Sequence, residues 1–161
     1  MQLHHTFYSK KLSSFEARFL KGSEIAKWTR LCLNGSAEHE LRELELLIGR
    51  GQFYNEEFIV AEREGRLIGR LRARSRAENE NFFVLLESPI VVDQFEFIDV
   101  APELVSCVVE TSRLKKNIRY IQAQVSVCER HCEALLRLYQ HLGFIRLDET
   151  TDEITKLRMY L

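Results

Sequence analysis

The stretch ALLRLYQHLGF, Ala134 to Phe144, joins an amphipathic helix to a strand. Apolar side chains recur at helical spacing up to Leu142 and give the helix one face for burial. Gly143 can adopt the positive φ that ends a helix, and Phe144 begins the next apolar run. We therefore predict a helix that ends at Leu142 and turns directly into a strand.

Outward from this stretch, the same patterns predict strands and helices along the rest of the chain. The predicted strands are 15–20, 58–62, 66–74, 82–92, 118–127, 144–147 and 154–161. The predicted helices run from Ser23 to Asn34–Gly35, from Ser36 to Gly49, from Pro102 to Asn117 and from Glu129 to Leu142. Ser88–Pro89 interrupts the strand 82–92, and a proline there indicates a bulge or splay. This order predicts an α/β fold of the α+β kind, a mixed sheet with helices on both faces.

Length and composition indicate a single domain spanning residues 1–161, in which residues 1–13 are a candidate for a loose arm. Hydrophobic residues make up 45% and charged residues 29%, and the formal net charge is -1. This balance makes nucleic acid an unfavoured partner. No apolar run approaches the roughly 20 residues that span a bilayer, and no secretory signal begins the sequence. We expect a cytoplasmic protein that does not bind membranes.

The cysteines follow no disulfide-framework spacing, which predicts free thiols. They are Cys32, Cys107, Cys128 and Cys132. Cys128 and Cys132 share a predicted helical face with His131, but a structural zinc site needs about four ligands. We therefore predict no metal site.

Leu138–Tyr139, followed shortly by Gly143–Phe144, resembles the helix-to-strand signature of the GCN5-related N-acetyltransferases (GNAT family). The hairpin Phe58–Gly69 and the ending Lys156–Leu161 are similar to other strands of that family, so that the resemblance covers about residues 15–161. It implies a mixed, mostly antiparallel central sheet with helices on both faces. It also implies an N-acyltransferase, in which an amine of a small molecule or a protein directly attacks the acetyl or other acyl group of an acyl-CoA.

The resemblance implies roles for particular residues. Tyr139 would be the general acid for the leaving thiolate, since a phenol has a reference pKa of about 10; the alternative is a tyrosine that only packs in the core. Glu87 would be the base for the amine, directly or through water; the alternative is a strand-edge carboxylate in solvent. A backbone N–H of Val91 or Val92 would meet the oxyanion.

The segment Asp93–Glu103 departs from the phosphate-binding pattern of the family, Gln/Arg-x-x-Gly-x-Gly/Ala. Phe97, Val100 and Pro102 fall near the motif positions. Phe97 and Val100 are the candidate cofactor-binding positions here, with Val91 and Val92. The segment contains no glycine. Pro102 lacks an N–H, and carboxylates at the start of a helix would repel a pyrophosphate; they are Asp93, Glu96, Asp99 and Glu103.

Three hypotheses follow from this departure. The chain holds acetyl-CoA or another acyl-CoA in a different way, through the backbone of Val91 and Val92 near the splay. It uses a different acyl carrier. Or it is a catalytically inactive binding module that keeps the fold, since fold alone does not decide function.

Arginines alternate along the predicted strand 66–74 and just beyond it, and so project from one face. They are Arg70, Arg72, Arg74 and Arg76. A row of like charges needs anionic partners, either within the chain or in an anionic ligand or nucleic acid. We favour pairing within the chain, with an acidic helix that carries Glu38, Glu40, Glu43 and Glu45.

Overall fold

The computed structural model describes residues 15–31, 37–49, 56–149 and 151–161. The arm predicted at residues 1–13, the turn at Asn34–Gly35 and the Ser36 cap lie outside these ranges. The strands are β1 (Glu16–Phe19), β2 (Glu56–Arg63), β3 (Arg66–Glu78), β4 (Asn81–Leu86), β5 (Ile90–Val91), β6 (Ile118–Ser126), β7 (Ile145–Arg146) and β8 (Ile154–Tyr160). The α-helices are α1 (Ile25–Arg30), α2 (Ala37–Gly49), α3 (Phe97–Leu114) and α4 (Cys132–His141).

The strands form one eight-stranded sheet in the order β1-β2-β3-β4-β6-β8-β7, and β5 pairs with β3. β4 and β6 run parallel to each other. The other pairs are antiparallel. The mixed, mostly antiparallel sheet predicted from the sequence is confirmed.

Helices pack on both faces of the sheet, because neighbouring side chains of a strand point to opposite sides. On one side, α3 and α4 pack over the main core, which contains Leu71, Leu104 and Ile121. On the other side, Trp28 of α1 and Leu44 of α2 bury Phe58 and Val60 of β2. The helices therefore cover the faces as predicted.

Gly69 allows three elements to meet at the middle of β3. A Cβ at this position would lie 3.1 Å from Cγ1 of Val100 in α3 and 3.2 Å from the carbonyl oxygen of Ile90 in β5. These distances are shorter than ordinary van der Waals contacts, so a larger residue would push α3 or β5 away from the sheet.

The predicted start of α3 at Pro102 is wrong, since the helix begins at Phe97 and contains Pro102 in its interior. The apolar residues that face the sheet already follow helical spacing before the proline: Phe97, Val100, Ala101 and Leu104 are all buried. Burial of this face outweighs the cost of the hydrogen bond that a proline removes from a helix. The inference that Pro102 removes a donor from the helix N-terminus is therefore also wrong.

Candidate functional site

A gap opens in the sheet where β4 and β6 separate. Their parallel pairing ends at Leu86 and Ala123. Beyond this point the chain crosses to β5, which pairs with β3, while β6 continues along β8. We call the space between residues 87–92 and the end of β6 the gap. The splay predicted at Ser88–Pro89 is confirmed.

The backbone N–H of Val91 is turned toward the gap. The N–H of Val92 donates to the carbonyl oxygen of Ile68 at 2.9 Å, and Val91 pairs with Gly69 in an antiparallel register. In an antiparallel ladder, bonded and non-bonded pairs alternate, so Val91 points its N–H and C=O away from β3. Of the two residues predicted to offer an N–H to the oxyanion, Val91 turns its N–H toward the gap, and the N–H of Val92 is engaged within the sheet.

Two side-chain contacts link the turn after β6 to the segments across the gap. The hydroxyl of Ser88 donates a 2.6 Å hydrogen bond to Oε1 of Glu129, in the turn that follows β6. In the same turn, His131 stacks on Phe97 of α3 with ring centroids 4.3 Å apart. Sequence reasoning missed Glu129, and an acidic residue in a polar turn gives no signal of such a contact.

Tyr139 lies in the core beside this turn. Its side chain is 1% exposed, and its ring packs against Phe144 at a centroid distance of 5.1 Å. Burial raises the pKa of Tyr139 above its ordinary value, and the nearby charge of Glu129 raises it further. The phenol therefore stays protonated at neutral pH, as a hydrogen-bond donor must.

Glu87 lies at the start of the link between β4 and β5. Its carboxylate is 42% exposed and pairs with Nη2 of Arg74 at 2.7 Å. Its backbone N–H donates to the carbonyl oxygen of Arg72, which continues the β3–β4 ladder by one residue. The carboxylate therefore projects from the face of the sheet that carries Arg70, Arg72 and Arg74, which we call the arginine side. The ion pair holds it there.

The backbone N–H groups ahead of α3 are already hydrogen-bonded within the segment. The side chain of Asp93 accepts from the N–H of Phe95, and the carbonyl of Asp93 accepts from the N–H of Glu96. The N–H of Phe97 donates to the carbonyl of Gln94 in the same short 3-10 turn. These three N–H groups are therefore not free to bind an anion that approaches the start of the helix.

The side chains at the predicted cofactor positions of α3 face inward. Phe97 is 3% exposed and Val100 is fully buried. Glu96 pairs with Nη1 of Arg63 at 2.6 Å, which offsets its negative charge. Any contact of Val100 with a ligand would have to involve its backbone.

A groove of about 550 Å³ runs between the start of α3 and the outer face of α4. Phe97, Ile98 and Pro102 line one wall. The other wall is lined by Ala134, Arg137, Leu138, His141 and Leu142. This groove is largely apolar with two basic side chains, a composition suited to a ligand that has apolar and anionic parts.

Acidic side chains of the same chain neutralise the arginines in the middle of β3, as predicted. Arg70 pairs with Glu40 of α2 at 2.9 Å. Arg72 pairs with Glu56 of β2 at 2.9 Å. Arg74 pairs with Glu87 and also approaches Glu56 at 3.4 Å. The carboxylates come from β2 and the β4–β5 link as well as from the acidic helix.

In the part of the chain that the structure describes, no helix is long and apolar enough to cross a membrane. Over the same residues, no group of His, Cys, Asp and Glu side chains is arranged to hold a metal ion. Cys107, Cys128 and Cys132 are free thiols.

No family model and no curated protein matches the chain. Solved structures match it at low identity. An acetyltransferase of the GNAT family from Streptococcus pneumoniae is 12% identical with a TM-score of 0.68, over 91% of this chain and 99% of that one. Spermidine N-acetyltransferase from Vibrio cholerae is 15% identical with a TM-score of 0.71, over 92% of this chain and 94% of that one. The yncA protein of Salmonella typhimurium, solved with its cofactor acetyl-CoA, is 15% identical with a TM-score of 0.67, over 92% and 95%. With its mixed sheet parted between β4 and β6, this chain therefore has the fold of the GCN5-related N-acetyltransferases.

Proposed function

We propose that the chain is an N-acyltransferase that moves an acyl group from a pantetheine thioester, such as acetyl-CoA, to an amine. The observation that carries this proposal is the N–H of Val91, which the register turns toward the gap. A fixed backbone donor there can stabilise negative charge on an acyl oxygen. Proteins of the same fold include a spermidine N-acetyltransferase and a protein solved with acetyl-CoA, which makes acetyl transfer the first activity to test.

Acyl-CoA, when bound, would supply an acyl group activated as a thioester. In the reaction the amine nitrogen bonds to the acyl carbon and the carbon–sulfur bond breaks, giving an amide and a thiol. Glu87 would accept the proton that the amine loses, after its carboxylate leaves Arg74. Tyr139 would donate a hydrogen bond to the leaving sulfur as the carbon–sulfur bond breaks, and the thiolate would take up a proton from solvent after it leaves.

The residues present fit the pantetheine part of such a donor better than its pyrophosphate. Val91 offers backbone groups to an extended arm, as a strand edge does. The segment before α3 offers little to a pyrophosphate, because the N–H groups of Phe95, Glu96 and Phe97 are used internally and the carboxylates of Asp93 and Asp99 are exposed there. The nucleotide would lie along the groove between α3 and α4, where Arg137 supplies a positive charge and His141 a further polar side chain.

The test compares acetyl-CoA with acetyl-pantetheine, which lacks the nucleotide, using a panel of primary amines. We expect the two donors to differ in kcat/KM by no more than about tenfold, because few phosphate contacts are made. Asp99→Asn should bind acetyl-CoA more tightly if phosphates approach α3, with Glu103→Gln, further along the same helix, as the control. Submicromolar acetyl-CoA binding by the parent protein would contradict the weak phosphate site.

A second candidate function is a binding module without catalysis. The hydrogen bond between Ser88 and Glu129 favours it, because this contact ties together the segments on the two sides of the gap. The same experiment separates the two: a module of this kind would consume neither donor with any amine, even at millimolar concentrations.

A further inference from the structure

The arginine side of β4, β6 and β8 carries a continuous row of side chains. Arg74 pairs with Leu85 across β3 and β4. Leu85 pairs with Gln122, and Gln122 pairs with Arg158. Paired residues project from the same side of a sheet, so this row leads from the Glu87–Arg74 ion pair to Arg158. We call it the acceptor row.

Arg158 is fixed in place by neutral partners. Its guanidinium lies 3.9 Å from the centroid of the Tyr120 ring. Nη2 donates to Oε1 of Gln122 at 2.9 Å, and Nη1 donates to the hydroxyl of Tyr160 at 3.2 Å. These contacts orient the guanidinium without neutralising it.

Arg158 differs from the three arginines in the middle of β3, whose charges are paired with carboxylates. Arg70, Arg72 and Arg74 each have a carboxylate within salt-bridge distance. Across residues 15–31, 37–49, 56–149 and 151–161, Arg158 has none within 4.0 Å. Its Nε is buried and donates to no described group. A buried donor without a partner is costly, and a guanidinium so held can still bind an anion through its other N–H groups.

We propose, on the basis of the proposed acyl transfer, that the acceptor is a small amine that also carries a carboxylate or phosphate, and that Arg158 binds this anionic group. The amine then lies toward Glu87. β4 and β8 are two strand spacings apart, roughly 10 Å. Glu87, which follows β4, and Arg158 of β8 can therefore hold the two ends of a short molecule between their side chains. A polyamine is disfavoured, because its second cation would lie against Arg158.

The test measures acylation of matched amines that differ in the second group. The panel contains glycine, γ-aminobutyrate and ε-aminocaproate as carboxylates, aminoethyl phosphate, ethanolamine as the neutral amine, and putrescine and spermidine as cations. We expect the best anionic amine to exceed ethanolamine in kcat/KM by at least about tenfold, the effect of one charge-assisted hydrogen bond. Comparison of the carboxylates with aminoethyl phosphate identifies the anionic group.

Variants test whether Arg158 causes this preference. Arg158→Gln should remove the preference and leave turnover of ethanolamine within about threefold, and Arg158→Lys should restore part of it. Arg76→Gln is the matched control, because Arg76 lies on the same side of the sheet and bonds only the carbonyl of Ser75 among its described partners. A preference of the parent for putrescine or spermidine, or an equal loss for all amines in Arg158→Gln, would overturn the inference.

Binding without turnover keeps this test separate from the test of acyl transfer. Titration of each anionic amine alone, followed by calorimetry, should show binding that Arg158→Gln weakens by about tenfold or more. Such binding in a protein that acylates nothing would support the anion site and contradict acyl transfer. Acylation of amines at rates that do not depend on Arg158 would support acyl transfer and contradict the anion site.

Discussion

Ser88 and Glu129 are joined by a 2.6 Å hydrogen bond across the gap between the β4–β5 link and the end of β6. The two segments are thus tied by side chains at the place where the backbone ladder has ended. Oε2 of the same carboxylate is buried and has no hydrogen-bond partner among the described groups. A tie of this kind can open without disturbing the strand pairing on either side.

We expect Ser88→Ala to lower the free energy of unfolding by about 1–3 kcal/mol, because a second oxygen of the Glu129 carboxylate loses its partner. The same variant should bind acetyl-pantetheine more tightly if this contact closes the gap to a thioester. Urea denaturation and calorimetry measure the two effects. Ser106→Ala, on α3, is the control, and a Ser88→Ala protein as stable as the parent would contradict the account.

Gly69→Ala should destabilise the fold by about 1–3 kcal/mol, because the new Cβ overpacks against α3 and β5. The limiting contacts are 3.1 Å to Val100 and 3.2 Å to the backbone of Ile90. Gly22→Ala is a matched control, since a Cβ there meets nothing within 4 Å. Equal unfolding midpoints in urea for the two variants would show that α3 and β5 adjust freely.

Glu40→Ala should lower the free energy of unfolding by about 3–5 kcal/mol, more than Gly69→Ala does, because it leaves the buried guanidinium of Arg70 without its carboxylate. Glu40 accepts hydrogen bonds from Arg70 and from Nε1 of Trp28, each at 2.9 Å. Glu38→Ala, an exposed position on the same helix, should change the stability by no more than about 0.5 kcal/mol. Chemical denaturation compares them, and similar losses in both variants would contradict the role of the buried pair.

The neutralised arginines of β3 also predict that the chain does not bind nucleic acid at physiological salt. Arg70, Arg72 and Arg74 each form an ion pair with a carboxylate of the same chain. Fluorescence anisotropy with labelled single- and double-stranded DNA should show no saturable binding. Tight binding that weakens steeply as salt rises would contradict this prediction.

The sequence predicted those parts of the fold that depend on local chemistry. Gly143 has φ 101° and ends α4 as its position implied, and Ser88–Pro89 marks the splay. The end of β3 was predicted at Arg74 but lies at Glu78, because the following turn uses Asn79 and Glu80 with positive φ. Glutamate rarely adopts that conformation, so no local pattern indicated the turn.

The candidate site was predictable only where one segment determines it. The direction of the Val91 N–H follows from the splay of its own segment. The hydrogen-bond partner of Ser88, by contrast, is Glu129, 41 residues away in the sequence. That no carboxylate of the described residues lies within 4.0 Å of Arg158 depends on the pairing of β6 with β8 and on which acids reach β3. Such relations arise from tertiary contacts, and no spacing within a single segment encodes them.

Tyr139→Phe tests the hydrogen bond to the leaving sulfur, which depends on a phenol that stays protonated. The ring should keep its packing against Phe144, so stability near neutral pH should change little. We expect kcat to fall by about tenfold to a hundredfold at an unchanged KM, the effect of one hydrogen bond made to the leaving sulfur. Full proton transfer is uphill for a phenol whose pKa burial raises, since a thiol has a pKa of about 8.5.

The pH dependence of stability, compared between the parent and Tyr139→Phe, tests whether the phenol of Tyr139 is buried. A folded-state pKa above the unfolded value of about 10 stabilises the protein below pH 10, and this stability is lost as pH rises further. The parent should therefore lose stability above pH 10 more steeply than Tyr139→Phe does, as measured by urea denaturation from pH 8 to 11. An equal slope in the two proteins would show that the phenol is not held in a buried, protonated state. An unchanged kcat in Tyr139→Phe, with catalysis present, would show that Tyr139 does not donate a hydrogen bond to the leaving sulfur.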